Sequence, residues 1–98
     1  MTPATTEKQW TDQVRKIARL MGWLDYHTYR STRSTPGFPD LVLVRGDRII
    51  FAELKREKGG VLSPAQRVWL DALAATNLVE VHVWRPSDLP VVKLALMR

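Results

Sequence analysis

Gly37-Phe38-Pro39-Asp40-Leu41-Val42-Leu43-Val44, the turn Arg45-Gly46-Asp47-Arg48 and the run Ile49-Ile50-Phe51-Ala52-Glu53-Leu54-Lys55 decide the fold. Two short apolar runs joined by a glycine-containing turn read as an antiparallel hairpin. Asp40 stands where the first strand begins, and Glu53 and Lys55 stand where the second ends, so pairing through the turn brings all three together. Side chains two positions apart on a strand share a face, which aligns Glu53 with Lys55. Buried charges must be paired or must bind a metal. Two carboxylates suit Mg²⁺, which takes only one or two of them and keeps its other positions for water and substrate phosphate. Lys55 is then placed to orient an attacking water, or to offset charge building on phosphate oxygens in a transition state.

Both runs are apolar without alternation, as expected of central strands covered on both faces, so helices should flank the sheet on each side. Upstream, the sequence predicts a helix from Thr6 to Met21, opened by a capping box between Thr6 and Gln9 and ended by Gly22. Trp10, Val14, Ile17, Ala18 and Met21 form its apolar stripe. Glu7 lies on the same side, where a first-turn acid is also favoured by the helix dipole. Lys8, Arg15, Lys16 and Arg19 fall away from the stripe, as a solvated or phosphate-facing surface. Trp23 to Arg30 reads as the first strand. His27 within it, with no second ligand in view, reads as structural or exposed. The polar loop from Arg30 to Gly37 carries Arg30 and Arg33 toward the acids, a placement suited to phosphate contact.

Downstream, Arg56-Glu57-Lys58-Gly59-Gly60 is a basic loop. Ser63 then caps a second helix with Pro64 at its first position. Gln66 completes a capping box with Ser63 and shares a face with Trp69, Leu70 and Leu73. After Asn77, Val79, Val81 and Val83 alternate with Glu80, His82 and Trp84 in a last strand with one mixed or exposed face. Ser87, in the turn Arg85-Pro86-Ser87-Asp88, is the expected cap of a short terminal helix. The order helix, three strands, helix, strand, short helix defines an α/β domain with a small mixed sheet flanked by helices.

Pro39-Asp40 followed by Glu53-Leu54-Lys55 resembles the PD-(D/E)xK nuclease superfamily. Glu7, Gly37-Phe38-Pro39-Asp40 and Ser63-Pro64-Ala65-Gln66 resemble its VRR-NUC branch, particularly the small stand-alone phage-type members, over nearly the whole chain. The resemblance implies a restriction-endonuclease-like core and Mg²⁺-dependent hydrolysis of DNA, with Mn²⁺ able to substitute and a 5′-phosphate left on the product. It implies Asp40, Glu53, Glu7 and the backbone carbonyl of Leu54 around the metal, Lys55 on the water and Gln66 directed at the site. Arg30, Arg33, Arg56 and Lys58 are the expected DNA contacts. Small relatives also imply a homodimer acting on branched DNA such as Holliday junctions, since symmetric cleavage of a two-fold junction needs two sites on one two-fold axis. Four tryptophans and the apolar stretch from Leu89 to Met97 could supply its interface.

A chain of 98 residues makes one domain, spanning 1–98. Its 45% hydrophobic and 26% charged residues are those of an ordinary globular protein. Without cysteine there are no disulfides, thiolate nucleophiles or cysteine zinc sites. No run reaches transmembrane length and the N-terminus lacks signal-peptide regions, so an intracellular, cytoplasmic protein is expected. A net charge of +5 favours a polyanionic partner. Two other classes fit the same composition: a non-catalytic DNA-binding module in which the cluster is a salt bridge, and a protein-interaction domain using the tryptophans and the basic face.

Overall fold

Thr6 opens the first helix through the expected reciprocal cap, its hydroxyl accepting from the Gln9 amide at 3.0 Å while Gln9 Oε1 accepts from the Thr6 amide at 2.9 Å. The computed structural model describes residues 4–29 and 35–98. In order these form α1 (Glu7–Leu20), β1 (Leu24–His27), β2 (Leu41–Arg45), β3 (Arg48–Leu54), α2 (Pro64–Ala75), β4 (Glu80–Trp84), a 3-10 turn (Pro86–Asp88) and α3 (Leu89–Met97). The sheet runs β1-β2-β3-β4. Its first three strands are antiparallel, and β4 joins β3 in parallel after the α2 crossover. Between β2 and β3, Arg45 pairs with Arg48, leaving a two-residue turn in which Gly46 alone has positive φ (+60°). This is the pattern of a type II′ turn, which needs glycine first.

The core lies on one face of the sheet. Leu41, Leu43, Ile50, Ala52 and Leu54 point into it and meet Trp10, Val14 and Ala18 of α1 and Val92, Ala95 and Leu96 of α3. Two indoles tie the layers: Trp10 Nε1 donates to the Trp84 carbonyl and Trp23 Nε1 to the Leu96 carbonyl, both at 2.9 Å. Arg45 and Arg48 lie against the Trp23 ring, 4.5 and 4.8 Å from its centre. Trp10, Trp23 and Trp84 therefore complete the core of a single chain. Of the C-terminal stretch only Val91, Leu94 and Met97 turn outward among its larger apolar residues.

The other face differs from expectation. α2 covers it only at one end, where Trp69 meets Phe38 and Phe38 meets Phe51 edge to face, at 5.1 and 6.0 Å. Toward the opposite end Leu24, Tyr26 and Ile49 stay exposed. The unbroken apolar runs of β2 and β3 thus reflect one buried face and one half-open face. Three further expectations change. β1 is shorter than the span from Trp23 to Arg30. Arg15 and Arg19, read as a free basic surface, both bind Asp25 of β1, at 2.7 and 2.8 Å. Ser87 does not cap α3; its amide donates to Glu57 Oε2 at 3.0 Å, while Asp88 Oδ2 accepts from the Arg85 amide at 2.8 Å. Among the described residues no helix is long and apolar enough to cross a membrane.

Candidate active site

Leu41 pairs with Ala52, so in the same register Asp40 stands opposite Glu53. Asp40 Oδ2 accepts a hydrogen bond from the Leu54 amide at 2.9 Å, which fixes the carboxylate over the end of β3. Its backbone is held from the other side. The Asp40 carbonyl accepts from the Thr28 amide at 2.8 Å, and Thr28 Oγ1 donates to the Pro39 carbonyl at 2.8 Å.

Glu53 is fully buried. Its Oε1 accepts from Gln66 Nε2 at 3.3 Å and lies 3.9 Å from Lys55 Nζ. Its Oε2 is buried with no donor to meet it, and Asp40, an acceptor itself, can bond this carboxyl only through a proton shared between the two acids. Burial, followed by the hydrogen bond and charge of Asp40 and then by Glu7, pushes the Glu53 carboxyl from 4.5 up to about 9, against the pull of Lys55. In the metal-free protein Glu53 therefore holds a proton at neutral pH, as expected of two carboxyls crowded into one dry corner. Lys55 is also buried, its amide bonded to the Trp84 carbonyl at 3.0 Å, so the lysine is aligned by the β3–β4 pairing.

Gln66 carries both of its readings. Its Oε1 accepts from the Ser63 amide at 2.8 Å, completing the cap, while its Nε2 reaches Glu53. Glu7, half-buried in the first turn of α1, lines the same cleft as Asp40 and adds to the upward push on Glu53. Leu54 touches Asp40 through its amide. Arg56 and Lys58 are exposed in the loop after Lys55. Arg30 and Arg33 lie outside the described residues.

A buried carboxylate oxygen that meets no donor, beside a second carboxylate, fits a hard cation, whose charge would remove the cost of ionising both acids. Among the described residues no three His, Cys, Asp or Glu side chains form a ready-made cage. An ion held by this pair would keep several waters, which is the habit of Mg²⁺.

Two contributors escape sequence reading. Arg85 braces the loop behind Lys55, Nη1 donating to the Arg56 carbonyl and Nη2 to the Gly60 carbonyl, both at 2.7 Å. Gly60 in turn lies close against the lysine, since a Cβ there would come within 3.2 Å of Lys55 Cβ. An arginine in a turn carries no sequence signal for this. Gly37 is the second. It has φ +89°, and a Cβ would lie 2.4 Å from the Ala65 backbone, so only glycine lets this loop touch the start of α2. Gly37→Ala should therefore displace α2 with Gln66 and destabilise the fold by about 2–4 kcal/mol, read as a lower urea midpoint.

The model of the VRR-NUC domain family matches residues 4–85. The chain belongs to the VRR-NUC family. It is thereby a member of the PD-(D/E)xK nuclease superfamily, and its fold is that of a nuclease-type domain. One solved structure, described as a VRR-NUC domain, is 22% identical with a TM-score of 0.71, covering 91% of this chain and 95% of that one. Another, a VRR-NUC domain protein, is 19% identical with a TM-score of 0.62, covering 95% of this chain and 87% of that one. Both share the fold. No curated protein matches the chain significantly.

Proposed function

We propose that this VRR-NUC chain is a Mg²⁺-dependent deoxyribonuclease, with Mn²⁺ able to substitute, acting as a homodimer on branched DNA such as Holliday junctions. The observation that carries the metal-dependent chemistry is the buried Oε2 of Glu53, which meets no donor and stands beside Asp40 and Lys55. Asp40 and Glu53 would hold the ion, with Glu7 and the Leu54 carbonyl completing its surroundings directly or through water. When bound, the ion polarises the phosphodiester and makes water acidic enough to attack at neutral pH. Lys55 Nζ holds the attacking water in line and offsets charge on the phosphate oxygens. Gln66 steadies Glu53 through its amide, keeping that carboxylate aimed at the ion. Arg56 and Lys58, exposed on the loop beside Lys55, are placed to meet flanking phosphates, with Arg30 and Arg33 as further contacts.

Dimerisation draws on the outward apolar residues Val91, Leu94 and Met97 of α3 and on the half-open sheet face at Leu24, Tyr26 and Ile49, rather than on the tryptophans. Incubating the protein with branched, flapped, single-stranded and linear DNA, with and without Mg²⁺ or Mn²⁺, tests the activity and the substrate together. Sedimentation equilibrium tests the dimer. DNA binding without metal-dependent cleavage of any of these substrates would leave a non-catalytic binding module.

Gln66→Glu separates cap from site. Glutamate still completes the capping box, so the melting temperature should change little. It places another acid on Glu53 in place of a donor, so cleavage should fall by at least tenfold; an unchanged rate would leave Gln66 as a cap alone.

A further inference from the structure

Beside Asp40 and Glu7 a cleft of about 530 Å³ opens between the first half of α1 and the end of β1. Its far wall is aromatic. His27 and Tyr29 lie with ring centres 5.3 Å apart and planes tilted by 48°, and Tyr29 is 74% exposed. Lys8 and Arg15 stand along the same cleft. Lys8 is 2.8 Å from Asp12 at the surface, and Arg15 is anchored 2.7 Å from Asp25, whose side chain is largely buried. None of these features contributes to the core, and the residues proposed for metal and water chemistry leave the aromatic wall unexplained.

We infer that this cleft is a subsite for one unpaired nucleotide of the DNA strand, adjacent to the phosphate held at Asp40 and Glu53, with its base stacked on Tyr29. This rests on the nuclease reading and deepens it by naming the feature of branched DNA that the site reads: a nucleotide unpaired at the branch point, which a four-way junction offers only where a pair at its crossover opens. A base inside a duplex shows its edges to a protein; only a base out of the stack offers a face to an aromatic ring. The volume suits a guest of drug-like size, which a single nucleotide is and a duplex is not. Lys8 and Arg15 then lie where the phosphates on either side of that base run.

The test places 2-aminopurine, a fluorescent adenine analogue whose emission falls on stacking, as an unpaired nucleotide at the branch point of a DNA junction. Lys55→Ala protein, chosen because it keeps the metal while cleavage is suppressed, is titrated onto it in Mg²⁺ with Tyr29 intact, as Tyr29→Phe and as Tyr29→Ala. Stacking predicts a fall in emission that Tyr29→Phe retains and Tyr29→Ala loses, with junction binding weakened roughly tenfold and fully paired linear duplex bound equally by all three. An unchanged emission drop in Tyr29→Ala, or an equal loss of affinity for linear duplex, overturns the subsite. Tyr29 is on the surface, so the alanine variant should keep the parent circular dichroism spectrum. Mg²⁺-dependent cleavage by the unaltered protein is measured in parallel. Its absence beside an intact stacking signal would sink the nuclease reading and support the subsite; its presence without the stacking signal would do the reverse.

Discussion

Lys55→Ala is expected to lower DNA cleavage by on the order of 10²–10³-fold while divalent metal binding persists. The ammonium is no metal ligand, and its distance of 3.9 Å from Glu53 Oε1 makes it a neighbour of the carboxylate rather than a tight partner. Two effects on metal affinity oppose each other. Removing a positive charge favours a second cation, yet Lys55 also holds the Glu53 carboxyl lower than it would otherwise stand, so the variant loses its acidic proton less readily. Affinity should consequently move little, measured by calorimetry, while the single-turnover rate collapses. Cleavage at the parental rate would remove Lys55 from the chemistry. Arg85, which braces the loop behind this lysine, gives the result a structural counterpart: the ammonium is useful only if the backbone carrying it stays in place.

Glu53→Gln should abolish cleavage and, in the absence of metal, stabilise the fold. The sign follows from the direction of the shift. Glu53 has its carboxyl raised from 4.5 to about 9, burial first and Asp40 next, so between those values the folded chain keeps a proton that the unfolded chain has released. Stability from this group is full below about pH 4.5 and is lost progressively as the pH rises through about 9. Glutamine does not titrate. The gap in melting temperature between variant and parent should therefore widen steadily from pH 5 to pH 9. An ionised, partly unpartnered buried group costs about 1–3 kcal/mol or more. In a domain of this size each kcal/mol moves the midpoint by about 4–8 °C. Mg²⁺ should reverse the order, raising the melting temperature of the parent and not of the variant, and its binding should release a proton from Glu53. A gap independent of pH, or equal stabilisation of both proteins by Mg²⁺, would contradict this account.

What the sequence disclosed was local. Thr6 with Gln9 and Ser63 with Gln66 are caps written within four residues, and both form as read. The hairpin was legible for the same reason: its turn fixes the register, and the register fixes Asp40 against Glu53. Contacts between distant segments were not legible. Arg15 and Arg19 looked free because nothing in their helix announces Asp25, and Arg85 looked like turn filling because the carbonyls it binds belong to a loop 25–29 residues away in sequence. His27 carried no metal partner, and its significance came only from Tyr29 and the cleft beside it. The tryptophans misled for a thermodynamic reason. Large aromatic surface is needed equally by an interface and by the core of a small domain, and composition does not say which consumes it.

Gly46-Asp47 lies at the opposite end of the hairpin from the acids, roughly 17 Å away at about 3.3 Å per strand residue. It touches nothing chemical, yet its length is a functional quantity. One residue fewer in that turn leaves too short a link for the present pairing and would shift β3 against β2 by one position, exchanging its two faces, sending Glu53 and Lys55 toward Trp10 and Leu41 and bringing Ile50 and Leu54 outward. The chain could not relax such a change gradually, because side-chain alternation offers no intermediate setting. The proposed activity is thus exposed to a deletion at its most remote turn as severely as to substitution of the acids themselves.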